Sequence, residues 1–255
     1  MRVKRRTFAG CVCEQEVYTV SNRTKDISKA DPKRPRFSSE EEREKHYTGM
    51  ARRKHARYFN ENFSPSSLYS TLTFDDEHEI HDYKSAKKIR DNYSRVLKYH
   101  YPDSVIFLYI GKGKSTHRLH LHMVSEGIPE SVILDKWTYG SIRRVDHLRE
   151  HNYYEGADHG QDYTGLANYL FDHWTKEQGG HRWKMTKNAR KPVREPAKEV
   201  KPIPAKIAKE RYTLERPPKA PPGYMLVEKR SNAYGYLYFR YIKIPNSQHR
   251  KRKSG

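Results

Sequence analysis

The stretch from Thr116 to Val124 reads Thr-His-Arg-Leu-His-Leu-His-Met-Val, so Leu119, Leu121 and Met123 alternate with Arg118, His120 and His122. A period of two predicts a strand with one buried face. Upstream, Val105–Ile110 is apolar on both faces and predicts a central strand covered on each side. Leu68–Phe74 alternates as well and ends in the acidic turn Asp75-Asp76-Glu77, which predicts a third strand. Lys84–Tyr99 carries Ile89, Tyr93, Val96 and Leu97 at helical spacing, the pattern of an amphipathic helix. Ser39 followed by three glutamates predicts a helix start, because a capping oxygen and early carboxylates suit unpaired amides; this helix should run to about Asn60. Its basic face (Arg52, Arg53, Lys54, Arg57) is either solvated or touches phosphate. Pro129–Trp137 reads as a short helix and Ser141 to about Leu148 as a strand. A last helix is predicted from Asp162, with Leu166, Leu170 and Trp174 as its apolar stripe. Strand–helix–strand–strand–helix–strand followed by a helix predicts an α+β domain with a largely antiparallel sheet.

The remaining segments set the expected boundaries. Residues 1–38 are basic and polar and read as an N-terminal arm, residues 39–192 as the main domain, and 193–223 as a Pro/Lys-rich linker without a core. Residues 224–255 read as a tyrosine-rich hairpin, Tyr224–Arg230 with Gly235–Ile244, and a basic tail. A net charge of +20 and a pI near 9.8 predict attraction to a polyanion, with nucleic acid as the leading partner. No apolar run approaches the roughly 20 residues of a membrane span, so no membrane partner is expected. Met1–Arg6 is basic but lacks the apolar segment of a signal peptide, which predicts a cytoplasmic protein. Cys11 and Cys13 have no second pair to complete a zinc site and read as reduced thiols.

His120 and His122 point the same way, and at a ~3.3 Å rise their backbones lie about 6.6 Å apart, so both rings can lean onto one ion. Gly111-Lys112-Gly113-Lys114-Ser115 is not a phosphate-binding loop: glycine would be required where Leu108 stands, and a strand rather than a helix follows. On the last helix Tyr169, Asp172, His173 and Lys176 share a polar stripe. A bound metal could withdraw charge from a phosphodiester oxygen, and Lys176 could stabilise the phenolate of Tyr169, a weak nucleophile at its ordinary pKa of about 10. Tyr163 is the alternative nucleophile but lies on another helical face. Thr71 and Thr73 either touch DNA or are ordinary strand residues, and Trp183 with Arg182 and Lys184 either clamps single strands or anchors its segment.

Three ordered segments resemble the HUH endonucleases, in particular rolling-circle replication initiators of Gram-positive plasmids and phages. They are Tyr69–Phe74, His120-Leu121-His122 and Leu166–Phe171, followed by the basic segment from Gly179 to Pro192. The resemblance implies a ferredoxin-like palm, a divalent cation such as Mg²⁺ or Mn²⁺, and attack by Tyr169 on single-stranded origin DNA. The products would be a 5′-phosphotyrosine and a 3′-OH that primes a polymerase, with a host helicase as partner because the chain has no P-loop. The family's lysine three residues after the nucleophile is Asp172 here, so Lys176 substitutes or the acid joins the metal. The nearest third ligand is His117, at a turn with the wrong strand parity. A noncatalytic basic protein that binds single strands, and an HUH transposase or relaxase, remain the alternatives.

Overall fold

The computed structural model describes residues 1–20, 39–113, 116–141, 143–173, 181, 183–204, 210–232 and 235–244. In chain order the first half holds β1 (Arg2–Ala9), β2 (Val12–Thr19), α1 (Glu40–Asn62), β3 (Leu68–Thr73), α2 (Tyr83–His100), β4 (Val105–Lys112) and β5 (Leu119–Glu126). Next come α3 (Glu130–Lys136), β6 (Arg143–His147), the short pair β7 (Tyr153–Tyr154) and β8 (Ala157–Asp158), and α4 (Thr164–Asp172). Short strands β9 (Lys184–Met185), β10 (Val193–Arg194) and β11 (Lys198–Glu199) precede the long β12 (Tyr224–Ser231) and β13 (Leu237–Lys243). All pairings are antiparallel among the described residues. The chain divides into two compact units, Met1–Arg57 with Tyr153–Asp162 and Pro192–Gly255, and Tyr58–Asn152 with Tyr163–Lys191.

The unit holding the termini corrects two expectations. The segment read as a basic arm forms the hairpin β1–β2 over residues 2–19, while residues 21–38 lie outside the described residues. Strand β2 pairs with β13, so the N- and C-terminal hairpins share one sheet in the order β10-β1-β2-β13-β12. One face buries Cys13, Val17, Leu237, Phe239 and Tyr241, against which Tyr212, Leu214 and Ala220 pack. The stretch expected to be a coreless linker therefore supplies two strands and part of a core. The other face turns Glu14 and Glu16 toward α1, where Arg57 bonds Glu14 and Arg53 lies 3.2 Å from Glu16. Two arginines of the basic α1 face are thus committed to internal ion pairs.

The second unit is built on a five-stranded sheet in the order β6-β3-β5-β4-β9, with the histidine strand β5 at its centre. Leu68, Leu72, Leu119, Leu121, Met123, Ile106, Leu108 and Ile110 form its apolar face, onto which Ala86, Tyr93 and Leu97 of α2 and Ile133 of α3 pack. Helix α2 starts where the Asp82 side chain accepts the Ser85 amide at 2.8 Å, the cap that satisfies an otherwise unpaired donor. Helix α3 is tied to α2 by the Tyr93 hydroxyl, which donates to Ile133 O at 2.8 Å. On the opposite face of the sheet the Phe107 ring meets Phe63 at 4.9 Å and Phe59 at 6.2 Å between centroids, and Phe59 reaches Tyr163 at 6.3 Å. These are edge-on contacts, the arrangement that aromatic quadrupoles favour. No helix is long and apolar enough to cross a membrane among the described residues.

Candidate metal centre and its tyrosine

Alternation along β5 buries Leu119, Leu121 and Met123 and sends His120 and His122 to the other face. The cross-strand partner of His120 is Gly111, and the missing side chain makes room for the ring. A Cβ on Gly111 would fall on His120 Nε2 and lie 2.9 Å from Cε1 and 3.0 Å from Cδ2. The His120 and His122 Nε2 atoms stand 3.0 Å apart. Two imidazole nitrogens this close either share a proton or hold a cation between them. His173, at the C-terminal end of α4, completes a group whose ligand atoms all lie within 4.8 Å of one another.

The groups behind the rings prepare them as ligands. His173 Nδ1 is 2.8 Å from Tyr169 O. A carbonyl only accepts, so Nδ1 carries a proton, and in the neutral ring Nε2 then keeps its lone pair. His122 Nδ1 lies 2.8 Å from the Tyr69 hydroxyl and 3.2 Å from Thr71 Oγ1. With Nδ1 donating to these oxygens, His122 offers Nε2 to the cluster. Burial, followed by the neighbouring His120 and His173, pushes the His122 pKa down to about 3. Burial is also the main cause that lowers His120. Both rings are therefore neutral near pH 7, the protonation state that binds metal.

The site fits a divalent cation. The two Nε2 atoms are 3.0 Å apart, a separation that two metal–nitrogen bonds of about 2.0–2.1 Å to one ion can span. Partners at Nδ1 fix the orientation of His122 and His173, as outer-shell groups do around bound metals. Three imidazoles suit a first-row transition ion better than Mg²⁺, which prefers oxygen. The third imidazole is His173 and not His117. His117 occupies the β4–β5 turn with φ 56°, where its amide bonds Gly113 O at 2.9 Å, and the strand parity that would aim it at the cluster begins only at Leu119.

Tyr169 precedes His173 by one helical turn on α4, with ring centroids 4.4 Å apart, and lies 6.2 Å from the His122 ring. It is 53% exposed. Helix α4 is held by Asn60 in the last turn of α1, which accepts the Tyr163 amide at 2.8 Å and donates to Thr164 Oγ1 at 3.0 Å. The helix buries Ala167, Leu170 and Phe171; of the expected stripe Leu166, Leu170 and Trp174, Leu170 is buried, Leu166 is half-buried and Trp174 lies outside the described residues. Tyr163 is 2% exposed and its hydroxyl donates to Arg149 O at 3.0 Å, which removes it as a nucleophile.

The other expected site residues are scattered. Thr71 supports His122, and Thr73 is the cross-strand partner of His120. Trp183 packs on Phe171 at 5.6 Å, as an anchor would, and Lys184 bonds Asp91 at 3.0 Å. Lys176 and Arg182 lie outside the described residues. Asp172 is exposed and not part of the histidine cluster. Sequence reasoning missed Tyr69, Gly111 and the place of His173 in the histidine cluster. The alternation that aligned Tyr69 with Thr71, and a glycine inside a strand, were the available signals. Comparison with protein-family models, curated proteins and solved structures found no match for the chain.

Proposed function

We propose that the protein is a metal-dependent, tyrosine-linked endonuclease and strand transferase for single-stranded DNA, of the type that initiates rolling-circle replication. The observation that carries this reading is the exposed Tyr169 phenol beside three mutually close imidazoles. The strand–helix order from β3 to β6, with sheet order β6-β3-β5-β4, supports a ferredoxin-like palm. His120, His122 and His173 would hold the cation, Mn²⁺ in preference to Mg²⁺. When bound, it supplies Lewis-acid withdrawal of charge from a non-bridging phosphoryl oxygen.

The chain's own residues account for the rest of the reaction. The Tyr169 oxygen attacks phosphorus while its proton passes to solvent. The bond from phosphorus to the 3′ oxygen breaks, and that oxygen takes up a proton to become a free 3′-OH. The tyrosine keeps the 5′-phosphate, and attack by a later 3′-OH reverses the step and joins strands. Tyr69 and Thr71 hold His122, and Asn60 holds the tyrosine helix. Origin DNA, a host helicase and a polymerase are the partners this role requires.

Incubation with single-stranded oligonucleotides, including intergenic DNA next to the gene, tests the reading. With Mn²⁺ a denaturing gel should show a covalent adduct that EDTA, Tyr169→Phe and His122→Ala each abolish. Tight binding without an adduct on any native sequence would instead indicate a noncatalytic single-strand binder.

A further inference from the structure

Strand β6 carries two consecutive arginines, and strand parity sends them to opposite faces of the sheet. Arg143 pairs with Leu72, which is buried on the apolar face, and its Nη1 donates to Leu134 O of α3 at 2.6 Å. It is used to hold a helix. Arg144 pairs with Thr71, and Thr71 pairs with His122, so Arg144 stands on the histidine face. Strands lie about 4.8 Å apart, which puts the Arg144 backbone about 9.6 Å from that of His122.

Arg144 is 76% exposed, and Asp146, two residues along on the same face, accepts from its Nε at 2.6 Å. That bond fixes the plane of the guanidinium while leaving both Nη groups without a protein partner among the described residues. Two parallel N–H donors in a fixed plane match two phosphate oxygens. Two other cations of this unit are engaged in ion pairs: Arg118 bonds Asp76 at 2.6 Å, and Lys184, on the opposite edge of the sheet, bonds Asp91. Strand β6 is also the outer edge of its sheet, so nothing in that sheet lies beyond Arg144.

We propose that Arg144 binds a phosphate flanking the scissile one, so that single-stranded DNA crosses the sheet over β6 and β3 to reach the histidine cluster. This rests on the function proposed above, and it makes Arg144 a binding and positioning residue. The test uses the Tyr169→Phe chain, which cannot react, and anisotropy of a fluorescein-labelled mixed-sequence single-stranded oligodeoxynucleotide between roughly 50 and 200 mM salt. Arg144→Ala should weaken binding several-fold and lower the slope of log K against log salt by about 0.7, the value for one single-strand phosphate contact. Arg144→Lys should retain the slope but recover only part of the affinity, because charge remains and the fork does not. Lys88→Ala, on α2 against the other face of the sheet, should change neither.

Equal losses in Lys88→Ala and Arg144→Ala would reduce Arg144 to general surface charge and overturn the proposal, as would an unchanged slope in Arg144→Ala. A parallel adduct assay on the unsubstituted chain separates the two ideas. An adduct with an unchanged Arg144→Ala slope sinks only the role of Arg144. A slope lowered by Arg144→Ala without any adduct sinks only the nicking reaction, and failure to bind single strands sinks both.

Discussion

Replacing Gly111 by alanine should uncouple metal binding from folding. The added methyl would fall on His120 Nε2, with Cε1 at 2.9 Å and Cδ2 at 3.0 Å, so the ring must turn away. Two terms then compete in the apoprotein. Alanine restricts the unfolded chain, worth about 0.4–1 kcal/mol where the backbone tolerates it, and φ at Gly111 is not left-handed. Crowding in a packed sheet costs about 1–3 kcal/mol. The net loss of stability is therefore about 0–2.5 kcal/mol. Metal affinity has no such offset. Disturbing a supporting group alone costs about 10–100-fold, and here one of the three candidate ligands is itself displaced, so a loss of at least roughly 100-fold is expected. Titration calorimetry with Mn²⁺, together with urea unfolding of the apoprotein, reads both quantities. Wild-type Mn²⁺ affinity in a folded Gly111→Ala chain would refute the account of how His120 is seated.

Three further outcomes follow from the same geometry. Tyr69→Phe removes the hydroxyl 2.8 Å from His122 Nδ1 but leaves Thr71 Oγ1 at 3.2 Å. Mn²⁺ affinity should therefore fall about tenfold, and further in the double variant with Thr71→Val; unchanged calorimetric affinity in the double variant would contradict this. The pKa of His122 falls from an ordinary 6.5 to about 3 in the fold. Its neutral form stabilises the apoprotein fully above pH 6.5, and that contribution is lost as pH drops toward 3 because the unfolded chain takes up the proton first. Urea unfolding across this window should show a shallower acid loss in His122→Gln than in the unsubstituted chain, and parallel curves would refute the assignment. In the other unit, Arg57→Ala strands the charge of Glu14, whose side chain is 6% exposed, while Glu16 keeps Arg53. Stranding a buried charge should cost about 3–5 kcal/mol in denaturant unfolding. A loss below about 1 kcal/mol, the range of an exposed pair, would show the network to be solvated.

Local patterns carried the strands and helices of the second unit, because each buries one face and writes its period into the chain. The alternations of β3 and β5 and the stripe of α2 are of this kind. His120 and His122 were legible together because one strand fixes their shared direction. His173 was visible only as part of a polar helical stripe. Its place beside them depends on how α4 packs, which rests on the contact from Asn60 to Tyr163, far away in sequence. Tyr69 looked like one more exposed strand residue until its cross-strand neighbour was known. The N-terminal strands were hidden because β1 is largely half-buried cations, Arg2, Lys4, Arg5 and Arg6, while β2 is buried on both faces yet contains Glu14, Gln15 and Glu16. Polar residues that find partners only in the fold leave no periodic signature of burial.

The pairing of β2 with β13 also fixes an order of events during synthesis. The histidine sheet and tyrosine helix belong to Tyr58–Asn152 and Tyr163–Lys191, so their contacts are available once residue 191 has left the ribosome. Strand β2 must wait for Leu237–Lys243 before its second edge is covered. The unit holding the histidine cluster can therefore mature while the earliest strands still show an open edge, and contacts of such long sequence separation form slowly. Nascent or truncated chains ending before β13 should be the species that aggregate or recruit chaperones.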